Sequence, residues 1–382
     1  MKFTTKYSEL VKAVQSCTRV IAAASPSPIL TNILIDASSN KEKGLVRLFA
    51  TDLEMYYEIF ISATIEIPGD VMVSAKIFNE ILGSFSGEAE ISFNCNTENF
   101  NINLKNNKLE CTIFGIAPDD FPALPFFEKI YSFNFSLAKL QQTIKDTLYA
   151  ASVEQVKPVF CGLCLKPLNN GIRAIATDGK RLAFAEYQLP DSQLKEQNEI
   201  IIMAKVLNEI SKCQSDPEND EIEIMVCSNQ IAFKAKSYSY YARLIEGKFP
   251  DYNQVIPKDK KLKVIAKVSE FSDSLKKTIP IAKDNSYSAK FNIADNMLVC
   301  SAKSTKIGSM ELKTSVAIEE GESIEINFNV KFFIEILSTI KSDECIMEYT
   351  TPQAPVKIYP KEELTNENHI HILMPVRPGF TV

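Results

Sequence analysis

Apolar residues return at helical spacing in six stretches of the chain, over 8–19, 75–82, 137–148, 204–212, 271–283 and 330–341. Leu10, Val14 and Cys17 share one face in the first, Leu137, Leu140, Ile144 and Leu148 in the third, and Phe271 and Leu275 in the fifth. Ile77, Phe78, Ile81 and Leu82, then Val206, Leu207 and Ile210, then Phe332, Phe333, Ile336 and Leu337 mark the second, fourth and sixth. Stretches such as "EISFNCN", "NFNINLKN", "EIEIMVCS" and "SIEINFNV" instead alternate apolar and polar residues, the period of half-buried antiparallel strands. The pattern predicts an α+β fold, with pairs of amphipathic helices laid on antiparallel sheet.

The same order of elements recurs three times. "AKIFNEI" (75–81) and "AKVLNEI" (204–210) nearly coincide, and "VKFFIEI" (330–336) keeps their charge and apolar pattern, so Lys76, Lys205 and Lys331 are spaced by 129 and 126 residues. "FTTKYSELVKAV", "FNFSLAKLQQTI" and "VIAKVSEFSDSL" align at offsets of 130 and 131, "ATD" recurs at 50–52 and 176–178, and "DDFP" ending at Pro122 answers "GKFP" ending at Pro250. A period this long is that of a domain with its own core, not of a solenoid unit. Three domains are expected, over 1–125, 131–257 and 262–382, joined by "LPFFEKIYS" and the lysine-rich "PKDKKLK".

Composition narrows the function. With 45% hydrophobic residues the chain is globular, and its most apolar stretch is broken by Pro26 and Pro28, so a soluble, cytoplasmic protein with no membrane partner is expected. Nine cysteines scattered over 382 residues suit reduced thiols better than a disulfide framework. "CGLC" (Cys161, Cys164) lacks the second pair a zinc site would need, and His369 and His371, the chain's two histidines, lack a third ligand. There is no phosphate-binding glycine loop and no hydrolase or metalloprotease signature, so neither catalytic residue, metal nor cofactor is expected.

The net charge of −6 is unevenly distributed: the six helical stretches carry +6 and the remainder −12. Cations on the solvated side of amphipathic helices are ordinary. Yet each second helix places Lys four residues before Glu (76/80, 205/209, 331/335), the less favourable order for local pairing. A basic surface on an acidic body would attract phosphate there and repel nucleic acid elsewhere.

"ATDGKRLAFAEYQL" (176–189) combines an acid, a glycine and two adjacent cations, which could hold a phosphate, stabilise a transition state or grip a partner. Its counterpart in the first repeat reads "ATDLEMYYEIFI". Thr-Asp, common to both, is expected to form a turn. "GKRL", present in one copy only, is the place where function would have been added.

Taken in order, "MKFT", "PILTNIL", "TDLEM", "APDDFP", "ATDGKRLA", "EGKFPDYNQVIP", "FNVKF" and "MPVRP" resemble the bacterial DNA polymerase III beta subunit, the sliding clamp, over essentially the whole chain. The resemblance implies three DNA-clamp domains per chain and a head-to-tail homodimer closed around double-stranded DNA. Three domains turned by about 60° each make a half circle, and two such chains close a ring of six. Helices would line the hole, with Lys12, Lys76, Lys139, Lys145, Lys205, Lys276 and Lys331 facing the phosphates, whatever the base sequence.

It also implies a pocket for short peptides of the clamp loader, the replicative polymerase and repair proteins. Thr177, Gly179, Lys180, Arg181, Leu182, Pro250, Val255, Met374, Pro375, Val376 and Arg377 match its positions. There glycine would allow close backbone approach, the apolar members would take anchor side chains, and Arg181 and Arg377 would pair with peptide carbonyls or acids. Lys180 stands where histidine is common, Gln254 where a basic residue is common, and Ala24 where some clamps have a loop arginine. Pro378–Val382 extend past the usual end and could narrow the pocket rim. The alternatives are a non-ring peptide-binding adaptor of this fold, or an enzyme built on Asp178 and Arg181.

Overall fold

Each amphipathic stretch read from the sequence follows a strand directly and becomes a helix whose apolar face is buried. In the computed structural model, which describes residues 1–21, 27–85, 90–168, 171–188, 198–214, 220–361 and 369–376, these helices are α1 (Tyr7–Val20), α2 (Ala75–Leu82), α3 (Leu137–Thr147), α4 (Ala204–Ile210), α5 (Val268–Ala282) and α6 (Val330–Leu337). The described elements repeat one order: strand, helix, four strands (five in the third repeat), helix, three strands. Strands Glu90–Cys95, Asn101–Lys105, Glu221–Val226 and Ile324–Asn329 lie where alternation predicted them.

Helix ends shift where local chemistry overrides periodicity. α5 starts three residues before the first core residue of its stretch, Phe271, with Glu270 in its first turn, where a carboxylate favours the helix dipole. α6 is capped by Asn329, whose Oδ1 accepts from the amides of Lys331 (3.0 Å) and Phe332 (3.2 Å). It ends at Leu337, four residues short of the expected 341, as tighter bonds such as Thr339 N–H to Ile336 O (3.0 Å) take over.

The fold divides into two compact units, Met1–Leu137 with Asn208–Leu244, and Ala138–Leu207 with Ile245–Val382. The first holds a twelve-stranded antiparallel sheet, running from an edge at Glu110–Phe114 to an edge at Tyr131–Ser136. Its hub is the 13-residue strand Met55–Ile67, which pairs with Lys2–Lys6, Leu45–Thr51 and Tyr238–Arg243. α1 buries Leu10, Ala13, Val14, Cys17 and Val20, and packs on that strand and on α2.

The second unit holds a nine-stranded sheet in which Arg181–Gln188 lies between Gly171–Thr177 and His369–Leu373, and a four-stranded sheet edged by Gly308–Ser315. α5 packs against α6 and the four-stranded sheet. Their core is aromatic: the Phe333 ring lies 5.2 Å from Phe271, 5.5 Å from Phe291 and 5.6 Å from Phe328, mostly edge to face. The central repeat therefore supplies strands to both units, because antiparallel edges at the joins pair into continuous sheets.

Candidate docking site and cationic helices

The segment "TDGKRL" forms a turn that the first repeat reproduces bond for bond. Thr177 Oγ1 donates to the Arg181 carbonyl (2.6 Å) and accepts from Gly179 N–H (3.1 Å), while Asp178 Oδ1 accepts from the amides of Lys180 (2.8 Å) and Arg181 (2.9 Å). In repeat one, Thr51 Oγ1 donates to Met55 O and accepts from Leu53 N–H, both at 2.9 Å, and Asp52 Oδ1 accepts from Glu54 (3.1 Å) and Met55 (2.8 Å). Gly179 has φ +83° and Leu53, at the same place, +73°. Both acids are occupied in holding the chain reversal, the ordinary work of Asp in a turn.

The turn is brought beside the C-terminal strand. Arg181 pairs with Leu373 and Leu182 with Ile372, and Met374 N–H donates to the Lys180 carbonyl (2.9 Å). Met374 is 38% exposed, Pro375 and Val376 are half-buried, and Val376 N–H is held by the Asn327 carbonyl (2.8 Å). Gly179 and Lys180 are exposed, whereas Thr177, Arg181 and Leu182 are buried. Leu182 belongs to a core with Phe184, Tyr252 and Ile372. Val255, 38% exposed, stands on the short turn Tyr252–Val255, which Tyr252 anchors in that core and Asp251 caps; Pro250 just before it is exposed. Arg377, Pro378–Val382 and Ala24 lie outside the described residues.

Four contributors escaped the sequence reading. Phe160 faces Gly179, 3.7 Å from where a Cβ would stand. Tyr149, Phe332 and Glu335 enclose Arg181: its guanidinium lies 4.2 Å from the Phe332 ring centre and 5.2 Å from that of Tyr149, donates from Nε to Asp178 Oδ2 (3.1 Å) and from Nη1 to Glu335 Oε2. The Phe332–Glu335 spacing on α6 was readable as one helix turn; that α6 meets this strand end was not.

Behind this cage lies His371, wholly buried, with Nδ1 2.6 Å from Tyr149 Oη and Nε2 3.2 Å from Thr339 Oγ1. The Thr339 hydroxyl proton is already given to Ile336 O (2.8 Å), so Thr339 accepts from Nε2–H, and Nδ1 accepts the Tyr149 proton. Burial, with His369 adding to it, holds the His371 pKa well below the usual histidine value. Burial likewise raises the Cys164 thiol to about 12, an inert core group. Among the described residues no three His, Cys, Asp or Glu side chains cluster as metal ligands.

Lys12, Lys76, Lys139, Lys145, Lys205, Lys276 and Lys331 are all exposed. Lys276 meets Asp273 at 3.2 Å in an exposed pair of little energetic weight. Two of the three glutamates that stand four residues after the second-helix lysines bind other cations: Glu209, buried, binds Arg19 (2.9 Å) and Lys212 (2.7 Å), and Glu335 binds Arg181.

Residues 1–125, 134–251 and 253–377 match in turn the N-terminal, central and C-terminal domains of the DNA polymerase III beta subunit. The beta sliding clamp of Staphylococcus aureus is 28% identical over 386 aligned residues, covering 99% of each chain, and that of Staphylococcus epidermidis is 27% identical over the same span. Among solved structures, the Bartonella birtlesii DNA polymerase III beta subunit, bound to griselimycin, superposes with TM-score 0.91 at 26% identity over 99% of both chains. The Streptococcus pyogenes beta subunit superposes with TM-score 0.90 at 23% identity, covering 99% of this chain and all of its own. Matched from end to end by the three domains in their order, the chain belongs to the DNA polymerase III beta subunit family, the beta sliding clamps.

Proposed function

We propose that two copies of the chain join head to tail into a ring around duplex DNA and act, without catalysis, as the processivity clamp of DNA polymerase III. The observation that carries this reading is the threefold repetition of one exposed lysine, Lys76, Lys205 and Lys331, at the same place in each second helix. With Lys12, Lys139, Lys145 and Lys276 on the other helices, these cations meet phosphates and leave base edges unread, so the ring slides. The clamp domains span 1–125, 131–257 and 262–382, and their sheets continue from one domain to the next.

The open sheet edges Glu110–Phe114, where Phe114 is 81% exposed, and Gly308–Ser315 are the strands with which one copy meets the next. An uncovered edge of this kind is otherwise a liability. Polymerase, clamp loader and repair proteins dock through short peptides at the surface formed by Gly179, Lys180, Pro250, Val255, Met374, Pro375 and Val376, with Thr177, Arg181 and Leu182 behind it and Phe160 beside it. Exposed apolar side chains around a fixed turn suit an extended segment with apolar anchors. The work is done in the cytoplasm; none of the described helices is long and apolar enough to cross a membrane, and none of the nine cysteines is in a disulfide.

Light scattering tests the assembly. A mass near twice the 42.8 kDa of one chain is expected, and a stable monomer at micromolar concentration would defeat the ring.

A further inference from the structure

Arg19 and Lys212 have no part in the set of DNA-facing lysines, yet the structure fixes both at one cavity of the first unit. The cavity, of about 310 Å³, opens between α1, the chain just past α4 and the paired strands Met55–Ile67 and Tyr238–Arg243. Sites for small molecules begin at about this size. The buried Glu209 carboxylate uses both oxygens to hold the two cations, Oε2 accepting from Arg19 Nε at 2.9 Å and Oε1 from Lys212 Nζ at 2.7 Å. Arg19 Nη2 also donates to Ser16 Oγ (3.1 Å), and both cations keep further N–H donors. Lys12, exposed on α1, is the third cation of the lining. On the strand side the Tyr238 hydroxyl is shielded from solvent and has no partner but the weakly polar Cys213 thiol. Burial, with Cys213 adding to it, raises the Tyr238 pKa, so the phenol stays a donor. Among the described residues three cations thus meet one acid. Asp220, whose charge also reaches Tyr238, accepts from Ser136 Oγ, and Asp216 and Glu218 lie outside the described residues.

We propose that this cavity binds a terminal phosphate, as the free ion or at the end of a monoester the size of a mononucleotide. Such a group carries a charge of about −1.5 to −2 at neutral pH, which answers the surplus of cations. Its oxygens accept charge-assisted bonds from Arg19 and Lys212, and one gives the Tyr238 hydroxyl the acceptor it lacks. Tyr57 and Tyr238, with ring centres 6.3 Å apart, supply apolar wall for the organic part of a monoester. A backbone phosphate of DNA has a single charge and a sugar on either side, so it matches the cavity less well than it matches exposed lysines.

The test is a calorimetric titration of the full chain with AMP, with inorganic phosphate and with cyclic AMP, which keeps the base and sugar of AMP but holds its phosphate as a singly charged diester. AMP should bind about tenfold more tightly than cyclic AMP, and Lys212→Gln and Tyr238→Phe should each weaken AMP about fivefold or more. Tyr238→Phe removes only an unsatisfied hydroxyl, so the melting temperature of the free protein should not fall, which separates lost binding from lost folding. Inorganic phosphate binding as tightly as AMP would assign the free ion as the ligand, and weaker binding would assign the monoester; either upholds the site. Equal affinity for AMP and cyclic AMP, affinity for AMP unchanged in both variants, or no binding of AMP or phosphate at about 10 mM would overturn it.

Discussion

Tyr149 and His371 share a hydrogen bond of 2.6 Å that fixes the imidazole as the neutral tautomer with its proton on Nε2. A second proton on the ring would remove the acceptor of the Tyr149 hydroxyl. Because the folded pKa of His371 is depressed, the unfolded chain takes up the proton first. Stability is then full above the unfolded value of about 6.5 and is lost as pH falls below it, at up to about 1.4 kcal/mol per pH unit. Asp146, whose carboxyl burial raises, acts with the opposite sign, since protonating it favours the folded state. The melting temperature should drop between pH 7.5 and 5.5, and His371→Gln should flatten that slope; an unchanged slope in the variant would show that His371 is not its source.

Removing the cation from the Arg181 cage leaves Asp178 and Glu335 charged, close and unpaired. Arg181→Met should cost about 3 kcal/mol, in line with breaking a buried ion pair. Arg181→Lys should recover only part, for want of a planar group that reaches both acids and stacks on Phe332. Urea unfolding reads both, and a cost under about 0.5 kcal/mol for the methionine variant would mean that the cage contributes little.

Leu53 and Gly179 occupy the same left-handed position of the same turn, so the turn itself does not demand glycine. Leu53 is 45% exposed and loses little packing when removed. Leu53→Gly should therefore stabilise by about 0.5–1 kcal/mol through relief of backbone strain, and Gly179→Ala should cost about 1 kcal/mol with its turn retained. Thermal melts of the two variants check the opposite signs.

Charge reversal of the repeated lysines tests the inner surface. Lys76→Glu, Lys205→Glu and Lys331→Glu combined should weaken the hold on DNA and reduce its salt dependence by about three phosphate contacts, with the dimer mass unchanged. An unaltered salt slope would place the DNA path elsewhere.

The helices and many strands were legible because each buries one face, and burial leaves a period in the sequence: α1 shows Leu10, Val14 and Cys17, and Glu90–Cys95 alternates. The Thr-Asp turn was legible through comparison of two repeats. Hidden were the pairings that carry no period. That Tyr238–Arg243 joins Met55–Ile67, merging strands of two repeats into one sheet, depends on edge strands meeting, and that Glu335 reaches Arg181 across 154 positions depends on where α6 lands. The Lys-Glu spacing of the second helices showed only that the two residues do not serve each other best; the structure gives Glu209 to Arg19 and Glu335 to Arg181.

The central claim is that the hold on DNA is topological. The labelled chain is assembled on nicked circular plasmid with the clamp-loading complex, and its release is followed at moderate salt before and after one double-strand cut. Retention on the circle and rapid loss after linearisation is the predicted result; equal loss from the two forms would contradict a ring around DNA.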